Sequence, residues 1–298
     1  GTLNFYDSEA QSMSSILKLI TQGNTTHVIG PLLKENCRVF TQISKELSKP
    51  ILLLNYLSED IEKSKHQYSL GLSIEHEVDS LLEEITQQAL NNILIVSNAS
   101  SWAVRSKNLF EDEWLKTVTN AKFENPRDIT ESISKAVGVE ASNSRKESID
   151  KIMGKPLEFL PRTRKDIDAI IAFVSPSESE SLEPILKFHF LEDTPVFASS
   201  QSELHNYQFR ELTVRSLEFP FIGQNNNPNV FLKDQFELRT RFDQELFALG
   251  MDAYKLLQLI EIFRVTPGLT VHGQTGLVKL GKKQNFFRKL KLIKNENY

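Results

Sequence analysis

The chain is poor in the residues that announce chemistry. Of its 298 residues one is cysteine, two are tryptophan and twelve are glycine. The single thiol, Cys37, cannot form an internal disulfide, and it falls in a helical pattern where a small apolar side chain suits a core. That scarcity leaves the compartment open, because a chain of this length buries enough surface to do without disulfides in an oxidising space. Long apolar runs are missing too. The stretch Ile51 to Leu54 is among the longest, far below the roughly 18 residues of a membrane span. The opening Gly1-Thr2-Leu3-Asn4 has neither the charged nor the apolar region of a signal peptide, so none is expected in the visible residues. Nor does one sign of charge dominate. Lys plus Arg number 35 against 39 Asp plus Glu, a net charge of −4, which gives the whole molecule no electrostatic reason to bind nucleic acid. The balance is uneven only at the end, where Lys279 to Tyr298 holds seven Lys/Arg and one acid.

What is present is an ordinary globular composition, 40% hydrophobic and 25% charged, with strand-like and helix-like segments alternating through the first two-thirds. That alternation predicts an α/β fold with parallel sheets covered by helices on both faces. Six aliphatic or β-branched runs read as strands: Thr26 to Gly30, Ile51 to Asn55, Tyr68 to Leu72, Ile93 to Ser97, Ala169 to Ser175 and Pro195 to Ser199. Ile74, Val78, Leu81, Leu82, Ile85 and Ala89 form the clearest helical stripe. A second helix is expected from Lys34 to Leu47 and a third around Phe110, Trp114, Leu115 and Val118. Ser177-Glu178-Ser179-Glu180 has capping-box form, and Pro184 should kink or shorten the helix it opens. The tract Phe231 to Phe263 reads as two helices or one bent one, with Gly250 and Ala253 allowing close backbone approach. Asn225-Asn226-Asn227-Pro228 and Thr266-Pro267-Gly268 are the best loop signals and candidate crossings between lobes. Beyond them, Val271 to Leu280 reads as an irregular glycine-bearing hairpin.

A search for reactive constellations finds near misses. Gly276-x4-Gly281-Lys282-Lys283 has the spacing of a phosphate loop, but Lys283 replaces the magnesium-binding hydroxyl and no apolar helix follows. The six histidines, His27, His66, His76, His189, His205 and His272, are scattered. In Glu75-His76-Glu77 adjacent helix positions point apart, so a solvated helix face is expected there rather than a metal site. Gly71-Leu72-Ser73-Ile74-Glu75 lacks the final glycine of a nucleophile elbow. Ser175, Ser199 and Ser200 sit at expected carboxyl ends of strands, where open α/β sheets bind ligands, but without a matched base they read as turn or cap residues. The basic end, Phe287 to Lys294, reads as a terminal edge strand with lysines guarding against aggregation, in preference to a nucleic-acid or membrane patch.

Several stretches carry a resemblance. Val28-Ile29-Gly30-Pro31-Leu32-Leu33-Lys34-Glu35-Asn36, then Phe247-Ala248-Leu249-Gly250-Met251-Asp252-Ala253-Tyr254, then Pro267-Gly268 with Gly273-Gln274-Thr275-Gly276, and Ala198-Ser199-Ser200-Gln201-Ser202, resemble the C-terminal domain of the LppC/LpoA family. Its members are outer-membrane lipoprotein activators of class A penicillin-binding proteins. The resemblance implies the type I periplasmic-binding-protein architecture, two Rossmann-like lobes with three crossings: residues 1–71 and 222–269 in the first, 72–221 and 270–298 in the second. It places Lys34, Glu35, Asn55, Tyr56, Trp102, Ser175, Ser200 and Gln201 at strand ends lining a cleft. Amino-acid-binding relatives of that fold hold the ligand carboxylate with Ser and Thr where this chain has Pro31 to Asn36, which argues against such a ligand here.

The function implied is therefore a non-catalytic periplasmic regulator that binds and stimulates a class A penicillin-binding protein, with no cofactor, no metal and no nucleic acid. It further implies an upstream signal peptide, a lipidated cysteine and a helical-repeat domain, tethering the protein to the inner leaflet of the outer membrane. The alternative is a periplasmic solute receptor closing on a small polar molecule, with Trp102 stacking and Ser200 or Gln201 hydrogen-bonding it.

Overall fold

The apolar runs become strands, and the helical stripes cover them. A computed structural model describes residues 2–155, 158–159, 163–204, 207–223 and 229–294. The chain divides into two units, Gly1–Ser73 with Phe219–Lys289, and Ile74–Glu218 with Leu290–Tyr298. It passes between them three times, near 73, 218 and 289. The segment 270–289 belongs to the first unit, whereas the sequence reading gave everything beyond 269 to the second. Thr266-Pro267-Gly268 is thus an internal turn of the first unit and no crossing. Asn225-Asn226-Asn227-Pro228 lies outside the described residues.

The first unit begins with α1 (Met13–Gln22), whose N-cap Ser12 accepts from Ser15 N. Next come β1 (Val28–Ile29), α2 (Lys34–Ile43), β2 (Ile51–Leu53) and β3 (Gln67–Ser69). The strands form a parallel sheet in the order β1-β2-β3. Residues alternate across its faces: Ile51 and Leu53 pack with Met13, Ile16, Ile20, Cys37 and Phe40, and Leu52 packs with the later helices. Cys37 is fully buried, as its apolar setting suggested, and burial pushes its thiol up to about 12.

The helical tract of the first unit is three pieces, α9 (Val230–Gln235), α10 (Arg241–Gln258) and α11 (Ile260–Val265). Thr240 and Asp243 form a capping box that starts α10 afresh, which is why the tract is not one helix. Gly250 meets nothing within 4 Å of an added Cβ, so the close approach expected there does not occur. The unit ends in an antiparallel sheet, β11-β10-β9, of β9 (Thr270–His272), β10 (Leu277–Leu280) and β11 (Phe286–Lys289). The Gly276 to Gly281 stretch is therefore the strand β10 and no phosphate loop.

The second unit is built on a six-stranded sheet in the order β12-β8-β7-β6-β4-β5. The strands are β4 (Asn92–Ser97), β5 (Thr117–Lys122), β6 (Ala169–Phe173), β7 (Val196–Ala198), β8 (Val214–Glu218) and β12 (Lys291–Lys294). All neighbours are parallel except β12, which runs antiparallel along β8. Every residue of β6 and β7 is buried, the pattern of a sheet covered on both faces. Helices α3 (Ile74–Gln87), α4 (Ser101–Glu113), α5 (Ile129–Ala136), α6 (Val139–Met153), α7 (Pro176–Ser179) and α8 (Leu182–Phe188) flank it.

Three expectations need correction here. The third helix stops at Glu113: Phe110 and Trp114 are buried, Leu115 is exposed, and Val118 belongs to the edge strand β5, where Ala121 alone is buried and little apolar signal results. The capping box lies two residues earlier, on Ser175-Pro176-Ser177-Glu178, with Pro176 opening the helix. Pro184 then falls in the first turn of a separate helix, α8, where proline is tolerated. The basic end is two strands, because buried Leu290 divides β11 in the first unit from β12 in the second.

Candidate functional site

In the sheet of the second unit the chain runs from β4 outward to β5 and then returns to β6 on the other side of β4. Strand order reverses between β4 and β6. In open α/β sheets a crevice forms outside the carboxyl ends at such a point, and ligands bind there. Asn98 follows β4 and Ser175 follows β6, so both stand at this position. Asn98 N donates to Phe173 O at 3.2 Å, joining the two strand exits.

The polar groups at this point are spent on one another. Glu178 Oε2 accepts from Asn98 Nδ2 at 2.8 Å and from Ser175 N at 2.7 Å. Asn98 Oδ1 in turn accepts from Ser100 N at 3.0 Å and Ser100 Oγ at 2.6 Å. Asn98 and Glu178 are each 7% exposed. One strand further along, Ser200 N and Oγ donate to the two carboxylate oxygens of Glu77 at 2.9 and 2.8 Å. Ser179 Oγ donates to Ser202 O at 2.8 Å, and Ser202 Oγ donates to Ala172 O at 3.1 Å. Each buried carboxylate thus takes donors from backbone and hydroxyl groups of the chain itself, which is how a buried charge is tolerated.

Glu77 and His76 overturn the expectation of a solvated helix face, since each is only 5% exposed. The helical wheel put them away from the Val78 and Leu81 stripe, but it could not show that Ser200 would reach α3 from β7. A polar residue between apolar stripe positions, matched by a later Ser-Ser pair, is the only sequence trace of the contact. Ser199 Oγ is buried with no hydrogen-bond partner among the described residues, so no base activates it.

The first unit has a comparable knot. Asp252, on α10, accepts from Gln274 N at 2.6 Å, Thr275 N at 2.8 Å and Thr275 Oγ1 at 2.6 Å. Burial raises its carboxyl above the usual aspartate range, and the Thr275 hydroxyl and the two amides oppose that rise. Gly273 is required here, because an added Cβ would stand 2.5 Å from Asp252 Oδ2. Two of the motif stretches, the one around Asp252 and Gly273-Gln274-Thr275-Gly276, therefore meet as helix and turn. Arg288, also buried, donates to Thr275 O at 3.2 Å and lies 5.0 Å from the Phe219 ring.

Of the expected cleft residues, four lie in the first unit. Lys34 and Glu35 open α2 and are exposed, Glu35 is held by Arg38, and that guanidinium keeps its carboxyl below the usual glutamate range. With Arg38, Leu57, Ser58 and Ile61 they line a surface depression of about 280 Å³. Asn55 Nδ2 donates to Leu32 O at 3.1 Å, and Tyr56 OH donates to Phe286 O at 2.6 Å. The other four lie in the second unit. Trp102 is half-buried near the start of α4, Ser175 caps α7, Ser200 is fully buried on Glu77, and Gln201 is half-buried beside it. Among the described residues no group of three or more His, Cys, Asp or Glu is placed to hold a metal ion, and no helix is long and apolar enough to cross a membrane.

Comparison with known proteins follows the same outline. The chain is 26% identical over 296 residues to the penicillin-binding protein activator LpoA of Vibrio cholerae, covering 95% of this chain and 48% of that protein. It is 28% identical over 286 residues to the protein of the same name from Photobacterium profundum, covering 92% of this chain and 46% of that protein. The chain thus spans about half the length of these relatives. Among solved structures, the LpoA (YraM) C-domain from Haemophilus influenzae, described as a regulator of PBP1A, matches with a TM-score of 0.72 at 19% identity, over 98% of this chain and 86% of that one. A putative branched-chain amino acid ABC transporter structure from Chromobacterium violaceum matches with a TM-score of 0.66 at 22% identity, over 94% of this chain and 83% of that one. At those identities the likeness speaks for the fold, two units of the periplasmic-binding-protein kind. The model of the family described as LppC putative lipoprotein matches residues 1–297, and this chain belongs to that family.

Proposed function

We propose that the chain is a non-catalytic regulator that binds a class A penicillin-binding protein and stimulates its part in peptidoglycan synthesis. The observation that carries this reading is the closed polar network at the strand-order reversal. Where a receptor of this fold class would offer free donors and acceptors, Asn98, Ser175 and Glu178 bond to one another. With the polar groups at this point spent on one another, the described part of the second unit offers its surface, and a protein acting so shifts a synthase toward its competent state only as far as it binds that state more tightly. The curated relatives named as penicillin-binding protein activators support the same reading. Its place is the periplasm, with the full-length protein tethered to the inner leaflet of the outer membrane by a lipid anchor upstream of these residues, consistent with a lipoprotein family.

Binding is measured by passing the chain over an immobilised class A penicillin-binding protein from the same organism. Saturable capture is expected, and its absence at micromolar concentrations overturns the reading. A thermal-shift panel of amino acids, sugars and muropeptides should be flat, whereas a ligand present at 100 times its dissociation constant would stabilise the fold by about 2.7 kcal/mol.

A further inference from the structure

A helix at a protein surface keeps one apolar stripe for the core and sets charged residues opposite. Helix α10 departs from that pattern. One face, with Ala248, Leu249, Ala253, Leu256 and Leu257, is buried. A second line, Phe242, Leu246, Gly250, Tyr254 and Gln258, runs along the helix at four-residue spacing and carries no charge. Phe242 is 63% and Tyr254 56% exposed, Gly250 and Gln258 are exposed, and Leu246 is half-buried. Phe247, half-buried at the border of this line, packs with its ring 5.0 Å from that of Phe236, itself 52% exposed. The outer face is thus apolar as well.

Gly250 sits at the middle of it. Glycine weakens a helix interior relative to alanine, and nothing in this chain uses the space it leaves: among the described residues no neighbour comes within 4 Å of an added Cβ. Leu246 and Tyr254 flank it, eight residues and so about 12 Å apart along the axis. The notch between them has the width of one helix. A glycine at such a place lets a second backbone come close, and this chain supplies none.

We propose that the class A penicillin-binding protein docks on this face, laying an apolar helix of its own across α10 at Gly250. The proposal rests on the regulator reading and assigns its surface. An uncharged line of side chains selects an uncharged partner face, because a charged one would lose its hydration and gain no counterpart. Size separates the synthase from a second copy of this chain. The open parts of Phe236, Phe242 and Tyr254 come to about 350 Å², at roughly 200 Å² for each aromatic side chain. A permanent dimer buries about 1,000 Å² or more on each copy. The smaller contact is one that forms and dissolves, as regulation through preferential binding of one synthase state requires.

The test is the affinity of the whole chain for the immobilised synthase, read beside thermal melts. Gly250→Leu fills the notch and should weaken binding about tenfold, as obstruction of a central contact does. Its melting temperature should stay the same or rise, because leucine is the better helix former. A purely structural glycine would lower both together, so opposite signs in one variant belong to docking. Phe242→Ala with Tyr254→Ala, which removes the exposed rings and leaves the buried face of α10 intact, should also weaken binding about tenfold; it carries the test if Gly250→Leu melts lower than the parent. Parent binding that neither variant changes overturns the proposal and leaves the regulator reading standing. Absence of parent binding overturns that reading and this surface with it. Light scattering should find the parent monomeric, and a dimer that Gly250→Leu dissociates would give the face to a second copy and overturn the proposal.

Discussion

The two units use buried polar groups differently. In the second unit Glu77 and Glu178 hold the ends of β4, β6 and β7 from beneath a sheet whose central strands are wholly buried. In the first unit Asp252 holds a turn of a sheet that leaves one face to solvent, and Lys63 fastens a loop to the same sheet. Lys63 Nζ donates to Ser69 Oγ at 3.0 Å, Gln284 O at 3.3 Å and Asn285 Oδ1 at 2.5 Å, and burial without a carboxylate pushes its ammonium down to about 7. The lesson is that one unit has closed its strand ends while the other has fixed an open sheet face in position. Surface is what the first unit keeps available.

The largest effect should break the knot on α10. Asp252→Ala leaves the amides of Gln274 and Thr275 and a buried hydroxyl unpaired, and should destabilise by about 3–5 kcal/mol in urea unfolding. A loss below 1 kcal/mol would mean that the turn holds itself. Glu178→Ala should come next, at about 2–3 kcal/mol, by stranding Asn98 Nδ2 and Ser175 N. If it also opened the crevice enough to give thermal shifts with small polar solutes, the brace would be what keeps the second unit from being a receptor.

Smaller per pH unit is an effect confined to the first unit. The folded ammonium of Lys63 titrates near 7 against 10.5 unfolded, so between those values the unfolded chain binds more protons and stability rises with pH. The gain is complete above the unfolded value and is lost as pH falls through about 7. Its slope is at most about 1.4 kcal/mol per pH unit for one proton. Lys63→Met should flatten that rise, and an unchanged slope would assign it to another group. The smallest change is expected for Ser199→Ala in the second unit, where the hydroxyl removed is buried without a partner; stability should stay within about 0.5 kcal/mol of the parent or improve.

Periodicity made the sheets legible, because Ile93 to Ser97 and Ala169 to Phe173 are buried on both faces and read as unbroken apolar runs. It missed β5, an edge strand with one buried residue, and it joined β11 to β12 because the alternation runs through Leu290 without interruption. The cap at Ser175 was misplaced because two overlapping S-x-x-E patterns occur there, and only Pro176 separates them. The motif stretches were visible as a resemblance, but their physical work was not. That Asp252 closes onto Thr275, or Glu77 onto Ser200, depends on contacts between residues 23 and 123 positions apart, which no local pattern encodes.

The most direct measurement is the rate at which a purified class A penicillin-binding protein polymerises glycan from its lipid-linked precursor as this chain is titrated in. The account predicts a saturable increase in rate, since surface contact with the synthase does the work. A rate unchanged at every concentration that gives full binding would contradict it.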